Sequence, residues 1–262
     1  MATSKKTADV GEIQITPVRQ GAVEFFILGT SPLICNRMSQ KVWFELLAPR
    51  GRKTEAEKAS SMKHDPIQEF RDSPYIIEAN EGKPAPTLIG LFPSSFKKAM
   101  ATAALDMPGA KKTQIGRLVR IEAGDLLPIY GIPKVFMAVT RSADINKTPD
   151  IRTRAILPEW ACHLTVTFTE PILRPTAIAN LLSAAGFQCG VGDWRQEKGS
   201  GSYGSFKIVG KDDADWLRIT KEQGRAAQRR ALDDPEPYND ETAEMLAWFD
   251  VEMKRRGFKQ AA

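Results

Sequence analysis

The run GVGDWRQEKGSGSYGSFKIVG, residues 190–210, places Gly199, Gly201 and Gly204 in the spacing G-x-G-x-x-G. This spacing is the fingerprint of dinucleotide-binding proteins, in which a strand precedes the glycines and a helix begins within them. Here the order is reversed, because a helix-like segment ends at Gly186 before the run and the strand-like SFKIV follows it. The position of the glycines therefore disfavours a dinucleotide site.

Two other nucleotide-binding patterns are missing from the sequence. A protein-kinase glycine loop also precedes a strand, but no V-A-I-K, H-R-D or D-F-G follows this run. The phosphate-cradling pattern G-x-x-x-x-G-K-[ST] does not occur in the chain. Nucleotide-dependent enzymes are therefore disfavoured, and the glycines need another explanation.

Charged and aromatic side chains accompany the glycines of this run. Arg195 and Lys198 lie within it, next to Trp194 and Tyr203. Cations neutralise phosphates, aromatic rings stack on bases, and glycine lets a backbone approach another chain closely. The alternative is a flexible hairpin in which Trp194 is simply a core residue. On residue chemistry alone the two interpretations are equally good.

Hydrophobic periodicity predicts a mixed α+β protein. The predicted order is strand, helix, three strands, helix, strand and helix, which contains a β-α-β-β-α-β core. That core is the ferredoxin-like arrangement, which is also the fold of the RNA-recognition motif. The predicted strands are 23–28, 117–122, 133–140, 163–168 and 205–209, and the predicted helices are a short one at 40–47 and longer ones at 92–109, 176–186 and 239–257.

The helix limits follow from residues that favour helix ends. Ser94 or Ser95 is expected to cap the helix over 92–109, Thr176 the next one and Asn239 the last. In the helix over 92–109, one apolar face is predicted from the spacing of Phe96, Met100, Ala103, Ala104 and Met107.

Charge and polarity define the expected domain organisation. We expect one domain over residues 1–262, with polar insertions at about 49–66 and 140–156 and an acidic helical segment over about 211–262. The second insertion is either a hairpin excursion or a flexible loop. The net charge is +5, and residues 211–262 carry 10 Lys and Arg against 12 Asp and Glu, so the preceding residues carry +7. A basic body of this kind suggests a polyanionic partner.

Several classes of protein are disfavoured by composition. No apolar run reaches the ~18 residues that a membrane span needs, and the first residues have no apolar core of a secretory signal. Three scattered cysteines suit reduced thiols better than a disulfide framework or a zinc site. We therefore expect a cytoplasmic protein with no membrane partner, no metal and no cofactor.

Two stretches resemble the CRISPR-associated RAMP superfamily. Its C-terminal glycine-rich loop reads G-h-G-x-x-R-x-x-G-x-G-x-F followed by a strand, and the matching positions are Gly190, Gly192, Arg195, Gly199, Gly201, Gly204 and Phe206. The segment FPSSFKKAMATAA resembles the family's first helix, in which the matching positions are Pro93, Ser94, Ser95, Lys97 and Ala99. The two stretches occur in the order that the family has.

The resemblance implies a modified RNA-recognition-motif core in a backbone subunit of a multisubunit CRISPR effector complex. Such subunits polymerise as a filament along a guide RNA. The implied partners are single-stranded guide RNA, a target DNA or RNA strand, copies of the chain itself and other effector-complex subunits. The insertions would contact RNA or the next subunit. The predicted nucleic-acid-binding residues are Arg37, Lys41, Ser95, Lys97, Lys98, Arg152, Arg154, Gly190, Gly192, Trp194, Arg195, Lys198, Gly199, Gly201, Tyr203 and Gly204.

Two departures from the family bear on catalysis. Some relatives cleave target RNA with an aspartate after the first strand, but GTSPLICNRMSQK contains no acid. Other relatives process guides with a histidine base, and this chain has only His64 and His163. We therefore expect a binding protein without catalytic residues. A metal-independent guide-processing ribonuclease and a phage-encoded interaction protein on the same fold are the alternatives.

Overall fold

The computed structural model describes residues 17–47, 64–78, 84–141, 149–198 and 201–257. Within these ranges the chain is a mixed α+β protein with antiparallel sheets. Its elements in chain order are β1 (Arg19–Gly29), β2 (Leu33–Ile34), α1 (Gln40–Leu47), α2 (Pro66–Asp72), β3 (Tyr75–Ile76), β4 (Ile89–Leu91), α3 (Pro93–Ala103), α4 (Lys112–Leu118), β5 (Val119–Glu122), β6 (Leu127–Pro128), β7 (Lys134–Arg141), β8 (Pro149–Leu157), β9 (Ala161–Glu170), α5 (Pro175–Gln188), β10 (Phe206–Val209), α6 (Ala214–Glu222), α7 (Arg225–Asp233) and α8 (Asp240–Arg255).

The main sheet has four strands in the order β10-β1-β9-β5. β1 and β9 lie at its centre and pair along most of their length. On β9, Leu164, Val166 and Phe168 are buried and His163 on the opposite face is exposed. This confirms the predicted alternation, which arises because successive side chains of a strand point to opposite faces.

Helices α3 and α5 pack against each other and contribute to the core that the main sheet completes. Phe96 and Met100 of α3 and Ile178 and Leu182 of α5 are fully buried. The apolar face predicted for α3 is confirmed, and its small residues allow the two helices to approach closely. One helix follows β1 and the other follows β9, so each connects two strands of the main sheet.

Helix α6 packs on β1 and β9, which the sequence analysis did not predict. The indole Nε1 of Trp216 donates to the carbonyl oxygen of Cys162 at 3.2 Å, and its ring meets Phe26 edge-on at 5.0 Å. Ile219 packs with Leu28 and Ala161 at the end of the same strands. Part of the sheet face opposite α3 and α5 is therefore covered.

Strands β7 and β8 form a long hairpin, and β8 also pairs with β2. For the second insertion, this supports the hairpin alternative over a flexible loop in the residues that the structure describes. Residues 142–148 of the second insertion and residues 49–63 of the first lie outside the described residues.

Two predicted helix starts are wrong. In α3 the N-cap is Phe92, with Pro93 in the first turn and no side-chain cap from Ser94 or Ser95. In α5 the N-cap is Arg174 rather than Thr176. The reason is the same in both helices, since proline fits the first helical turn without needing an N–H partner.

Other predicted boundaries also differ. Helix α3 ends at Ala103, and residues 117–118 belong to α4, so that β5 begins only at Val119. Helix α5 continues through Gly186 to Gln188. Gly186 lies inside the helix, and the position needs a glycine because a Cβ there would collide with the carbonyl oxygen of Phe206.

The C-terminal segment is helical, as predicted. The Asn239 side chain accepts from the N–H of Thr242 at 3.0 Å and caps α8, and Gly257 takes the left-handed conformation with φ of 75°. The buried amide of Gln228 in α7 makes four hydrogen bonds to backbone atoms of residues 88, 89, 129 and 131. These bonds fix the segment to β4, which pairs with β3 and β6 in a small third sheet. Among the described residues no helix combines the length and apolarity that crossing a membrane would need.

Candidate nucleic-acid interface

The glycine-rich loop joins α5 to β10, and its backbone is tied to the segment around β2. The N–H of Asp193 donates to the carbonyl oxygen of Ile34 at 3.0 Å, and the N–H of Gly204 donates to that of Pro32 at 2.8 Å. Within the loop, the N–H of Val191 donates to the carbonyl oxygen of Gly204 at 2.9 Å. The described part of the loop is therefore fixed by the chain itself.

The glycines at 201 and 204 are required by this packing. A Cβ on Gly201 would collide with the carbonyl oxygen of Trp194, and one on Gly204 would collide with that of Val191. Gly204 also has φ of 73°, a conformation that residues with a Cβ rarely adopt. The loop's own geometry explains these glycines, and nucleic-acid contact by them stays a prediction. Gly199 lies outside the described residues.

Four aromatic residues meet beside the loop: Phe136, Trp194, Tyr203 and Tyr238, which we call the aromatic cluster. The ring of Phe136 lies 5.8 Å from Trp194, 6.1 Å from Tyr203 and 5.7 Å from Tyr238, between centroids. Trp194 has φ of 48°, and the N–H of Tyr203 donates to its carbonyl oxygen at 3.3 Å. Trp194, Tyr203 and Tyr238 remain partly exposed, so their rings are accessible.

Arg152 and Arg154, which we call the arginine pair, lie on β8 beside the aromatic cluster. Arg154 is opposite Phe136 and Arg152 is opposite Ala138 in the hairpin register. Both arginines line a small cleft together with Trp194 and Asp193. The structure thus brings together four residues that the sequence analysis predicted: Arg152, Arg154, Trp194 and Tyr203.

The two arginines differ in exposure. Arg152 is exposed, whereas the side chain of Arg154 is 21% exposed. Burial lowers the pKa of Arg154, and the carboxylate of Asp193, 4.0 Å from Nε, opposes that effect. The Nε atom of Arg154 is buried and has no hydrogen-bond partner in the described part of the chain. One donor of a charged group is therefore unsatisfied next to the aromatic rings.

Arg195 and Lys198 belong to a separate group on the α3 side of the loop. Arg195 pairs with Glu197 at 3.3 Å, and Glu197 accepts from the hydroxyl of Thr102 in α3 at 3.3 Å. Lys98 is exposed and lies one turn before Thr102, where residues i and i+4 share a helix face. Lys198 is also exposed. This group adds cations on a side of the loop away from the arginine pair.

The remaining predicted residues of α3 and of the segment after β2 lie elsewhere. Ser95 and Lys97 are partly buried on α3. The guanidinium of Arg37 lies 5.9 Å from the ring centroid of Trp43, a cation–π contact with α1. Lys41 belongs to α1, but its side chain lies outside the described residues.

The two histidines have different surroundings. His64 has Nδ1 3.0 Å from Glu69 and Nε2 3.1 Å from Asp150, so both ring nitrogens are engaged. His163 stacks on Phe26, with ring centroids 5.0 Å apart, and its Nε2 lies 3.6 Å from Glu24. A general base needs a ring nitrogen that can reach the substrate, which disfavours His64 more than His163.

Phe136 and Tyr238 are the members of the site that the sequence analysis missed. Phe136 alternates with the buried Val135 and Met137 in β7, and this alternation could have placed it on the opposite face. Tyr238 follows no periodic pattern. Two backbone hydrogen bonds to β7 set its position. The N–H of Tyr238 donates to the carbonyl oxygen of Val135, and the N–H of Val135 donates to the carbonyl oxygen of Glu236, both at 2.8 Å.

No group of three or more histidine, cysteine or acidic side chains in the described ranges is arranged to hold a metal ion. All three cysteines are buried free thiols, and burial raises the pKa of Cys35 to about 12. Comparison of the chain with protein-family models and with curated proteins finds no match.

Proposed function

We propose that the protein binds single-stranded RNA, the guide, as a non-catalytic backbone subunit of a CRISPR-type ribonucleoprotein complex. The observation that carries the proposal is the meeting of the arginine pair with the aromatic cluster. The arginine pair lies on β8, whereas Trp194 and Tyr203 of the cluster lie in the glycine-rich loop, and the sequence predicted these four residues as nucleic-acid contacts.

The chemistry of the site suits a strand whose bases are unpaired. Base–aromatic stacking contributes about 1–3 kcal/mol per base, and it needs a partly exposed ring such as that of Trp194. The exposed guanidinium of Arg152 has no ion pair or hydrogen bond among the described residues, so it can neutralise a phosphate without losing a partner there. The side chain of Arg154, 21% exposed, lines the same cleft and adds a second positive charge beside that phosphate.

The topology supports an RNA-recognition-motif core. The strands of the main sheet follow one another as β1, β5, β9 and β10, with α3 after the first and α5 after the third. This is a β-α-β-β-α-β order, and the first and third of these strands lie at the centre of the sheet. Within this proposal the β7–β8 hairpin is an insertion that carries the arginine pair.

The proposal is tested by titrating labelled single-stranded RNA, single-stranded DNA and duplex RNA with the full chain. We expect both single strands to bind, more weakly as salt rises from ~50 to ~200 mM, because phosphate contacts release counterions. Arg152→Gln should weaken binding several-fold. The matched control is Arg229→Gln, which removes an exposed arginine of α7 and should bind as the native chain does. Absence of binding to either single strand at low salt overturns the proposal.

Assembly into a filament is part of the proposal. Trp43, Phe44 and Leu47 of α1 are 50%, 66% and 81% exposed, which is an apolar surface available to another copy of the chain or to another effector subunit. Light scattering should show larger particles as the RNA is lengthened. We also propose a cytoplasmic location for the assembled complex, with no membrane partner.

A guide-processing ribonuclease is the second candidate, and the surroundings of His163 are the observation in its favour. Its exposed ring lies beside Glu24 on the sheet face. This candidate predicts metal-independent cutting of a stem-loop RNA, lost in His163→Ala. A substrate that stays intact through a long incubation rules it out.

An interaction protein on the same fold is the third candidate. Trp248 and Val251 of α8 are both 67% exposed, which gives this helix an apolar surface for a protein partner. A nucleic-acid-free complex in which the glycine-rich loop contacts only protein would favour this candidate over the RNA-binding subunit.

A further inference from the structure

A second cationic site lies at the end of the main sheet where β1 begins and β9 ends. It is a cleft of about 260 Å³ between β1, β9, β5 and the end of α4. The strand register sets its shape, because Gln20 lies opposite Thr169 and Arg120 lies opposite Thr167. We call it the arginine cleft, after the three arginines that line it: Arg19, Arg117 and Arg120.

The charge of the arginine cleft is entirely positive. All three arginines are exposed, and among the described residues no acidic side chain lines the cleft. Glu170 lies opposite Arg19 in the register but outside the lining. In the described part of the chain none of the three guanidinium groups forms an ion pair or a hydrogen bond, unlike Arg218 and Arg255, which pair with carboxylates at 2.8 and 2.7 Å.

Other polar groups of the cleft can also donate hydrogen bonds. Gln20 and Thr169 contribute an amide and a hydroxyl, whereas the buried Thr167 hydroxyl already donates its one hydrogen to the carbonyl oxygen of Arg120 at 3.4 Å. The register places Gln20, Thr169 and Arg120 on one face of the sheet. A guanidinium beside neutral donors suits an oxyanion with several oxygens, because it presents a planar fork of N–H groups. Phosphate has this geometry and charge.

We propose that the arginine cleft binds phosphate groups of the same nucleic-acid strand that contacts the aromatic cluster. This inference rests on the proposed function. Thr167 lies six residues from Ala161 along β9, about 20 Å at ~3.3 Å per residue. The glycine-rich loop lies at the Ala161 end, where Ser205 bonds to the turn after β1. The glycine-rich loop and the arginine cleft therefore lie at opposite ends of the main sheet. In this proposal the aromatic cluster stacks on bases and the arginine cleft binds phosphates.

The test measures how the affinity for labelled polyuridine RNA depends on salt, using a strand long enough to reach both sites. The cleft variant is Arg117→Gln with Arg120→Gln. The variant of the site formed by the arginine pair and the aromatic cluster, which we call the first site, is Arg152→Gln. The control is Lys221→Gln with Arg229→Gln, which removes two exposed cations from α6 and α7. For single strands the slope of log K against log salt changes by about 0.7 for each phosphate that the protein neutralises. We expect the cleft variant, which neutralises two phosphates fewer, to have a slope shallower by about 1.4, and the control to have the native slope.

The three variants separate the cleft from the proposed function. If Arg152→Gln reduces the slope and the cleft variant does not, the cleft inference is overturned and the proposed function stands. If only the cleft variant reduces it, the cleft binds the strand and the first site does not. If neither does, both are overturned. Inorganic tripolyphosphate serves as a further probe. If it raises the thermal stability of the chain while the affinity for polyuridine does not depend on Arg117 and Arg120, the cleft binds free polyphosphate, and the inference that it binds a nucleic-acid strand is overturned.

Discussion

Arginines are presented in opposite ways beside the glycine-rich loop and in the arginine cleft. Beside the loop, Arg154 is largely buried between Asp193 and the aromatic cluster, and its position is set by the hairpin register. In the cleft, Arg117 and Arg120 are exposed, and their guanidinium groups make no polar contact in the described chain. The site beside the glycine-rich loop is therefore largely preformed, whereas binding at the arginine cleft would have to order the arginine side chains.

Because the two sites differ in packing, mutations in them should differ in their effects on stability and on RNA binding. A change beside the loop disturbs packed rings and backbone hydrogen bonds, so it should alter both the free energy of unfolding and the affinity for RNA. A change in the arginine cleft removes cations that contact little else, so it should alter the affinity alone.

Replacement of Gly204 should have the largest effect on stability. Gly204→Ala forces a Cβ against the carbonyl oxygen of Val191 at a positive φ. Overpacking and the left-handed conformation together cost about 3 kcal/mol of unfolding free energy. Denaturant titration should show a lower midpoint with an unchanged slope.

The control for this change is Gly210→Ala. Gly210 follows β10, has no positive φ, and a Cβ there meets nothing within 4 Å. Its unfolding midpoint should match that of the native chain. If both variants unfold at the same denaturant concentration, the glycine-rich loop is not packed as described, and its comparison with the arginine cleft fails.

Replacement of Trp194 should have the next largest effect, on binding. Trp194→Asn removes the ring but keeps a residue that tolerates the φ of 48°. Loss of one stacked base costs about 1–3 kcal/mol, so the dissociation constant for single-stranded RNA should rise by a factor between about 5 and about 160. Trp248→Asn, which removes an exposed ring from α8, is the control. Equal affinities of the two variants would show that the aromatic cluster does not stack on bases.

The strands and apolar faces of the main sheet could be predicted from the sequence because their pattern is local. The alternation of Leu164, Val166 and Phe168 and the helical spacing of Phe96 and Met100 each follow from the repeat of one element. The predicted starts of α3 and α5 failed because serine and threonine favour the cap, while proline one or two residues earlier fixed the start instead.

The candidate site could be predicted only in part. Arg152, Arg154, Trp194 and Tyr203 were chosen for their chemistry. The pairing of β2 with β8 and the hydrogen bond between Asp193 and Ile34 bring the arginines and the glycine-rich loop together. Such long-range contacts leave no periodic signal in either segment. The sequence analysis did not find the arginine cleft for the same reason. Its three arginines line one cleft only because β1, β9 and β5 pair in this register.

The smallest expected effect is that of the cleft variant on stability. Arg117→Gln with Arg120→Gln removes two exposed guanidinium groups that have no polar partners in the described chain, so the unfolding free energy should stay within about 0.5 kcal/mol of the native value. Arg154→Gln is the matched change beside the loop, and it should lower stability by about 1 kcal/mol because the side chain packs against the aromatic cluster. Thermal and denaturant unfolding of both variants would measure the difference. A cleft variant that loses as much stability as Arg154→Gln would show that these arginines support the fold, and the positive charge of the cleft could then be explained without any phosphate ligand.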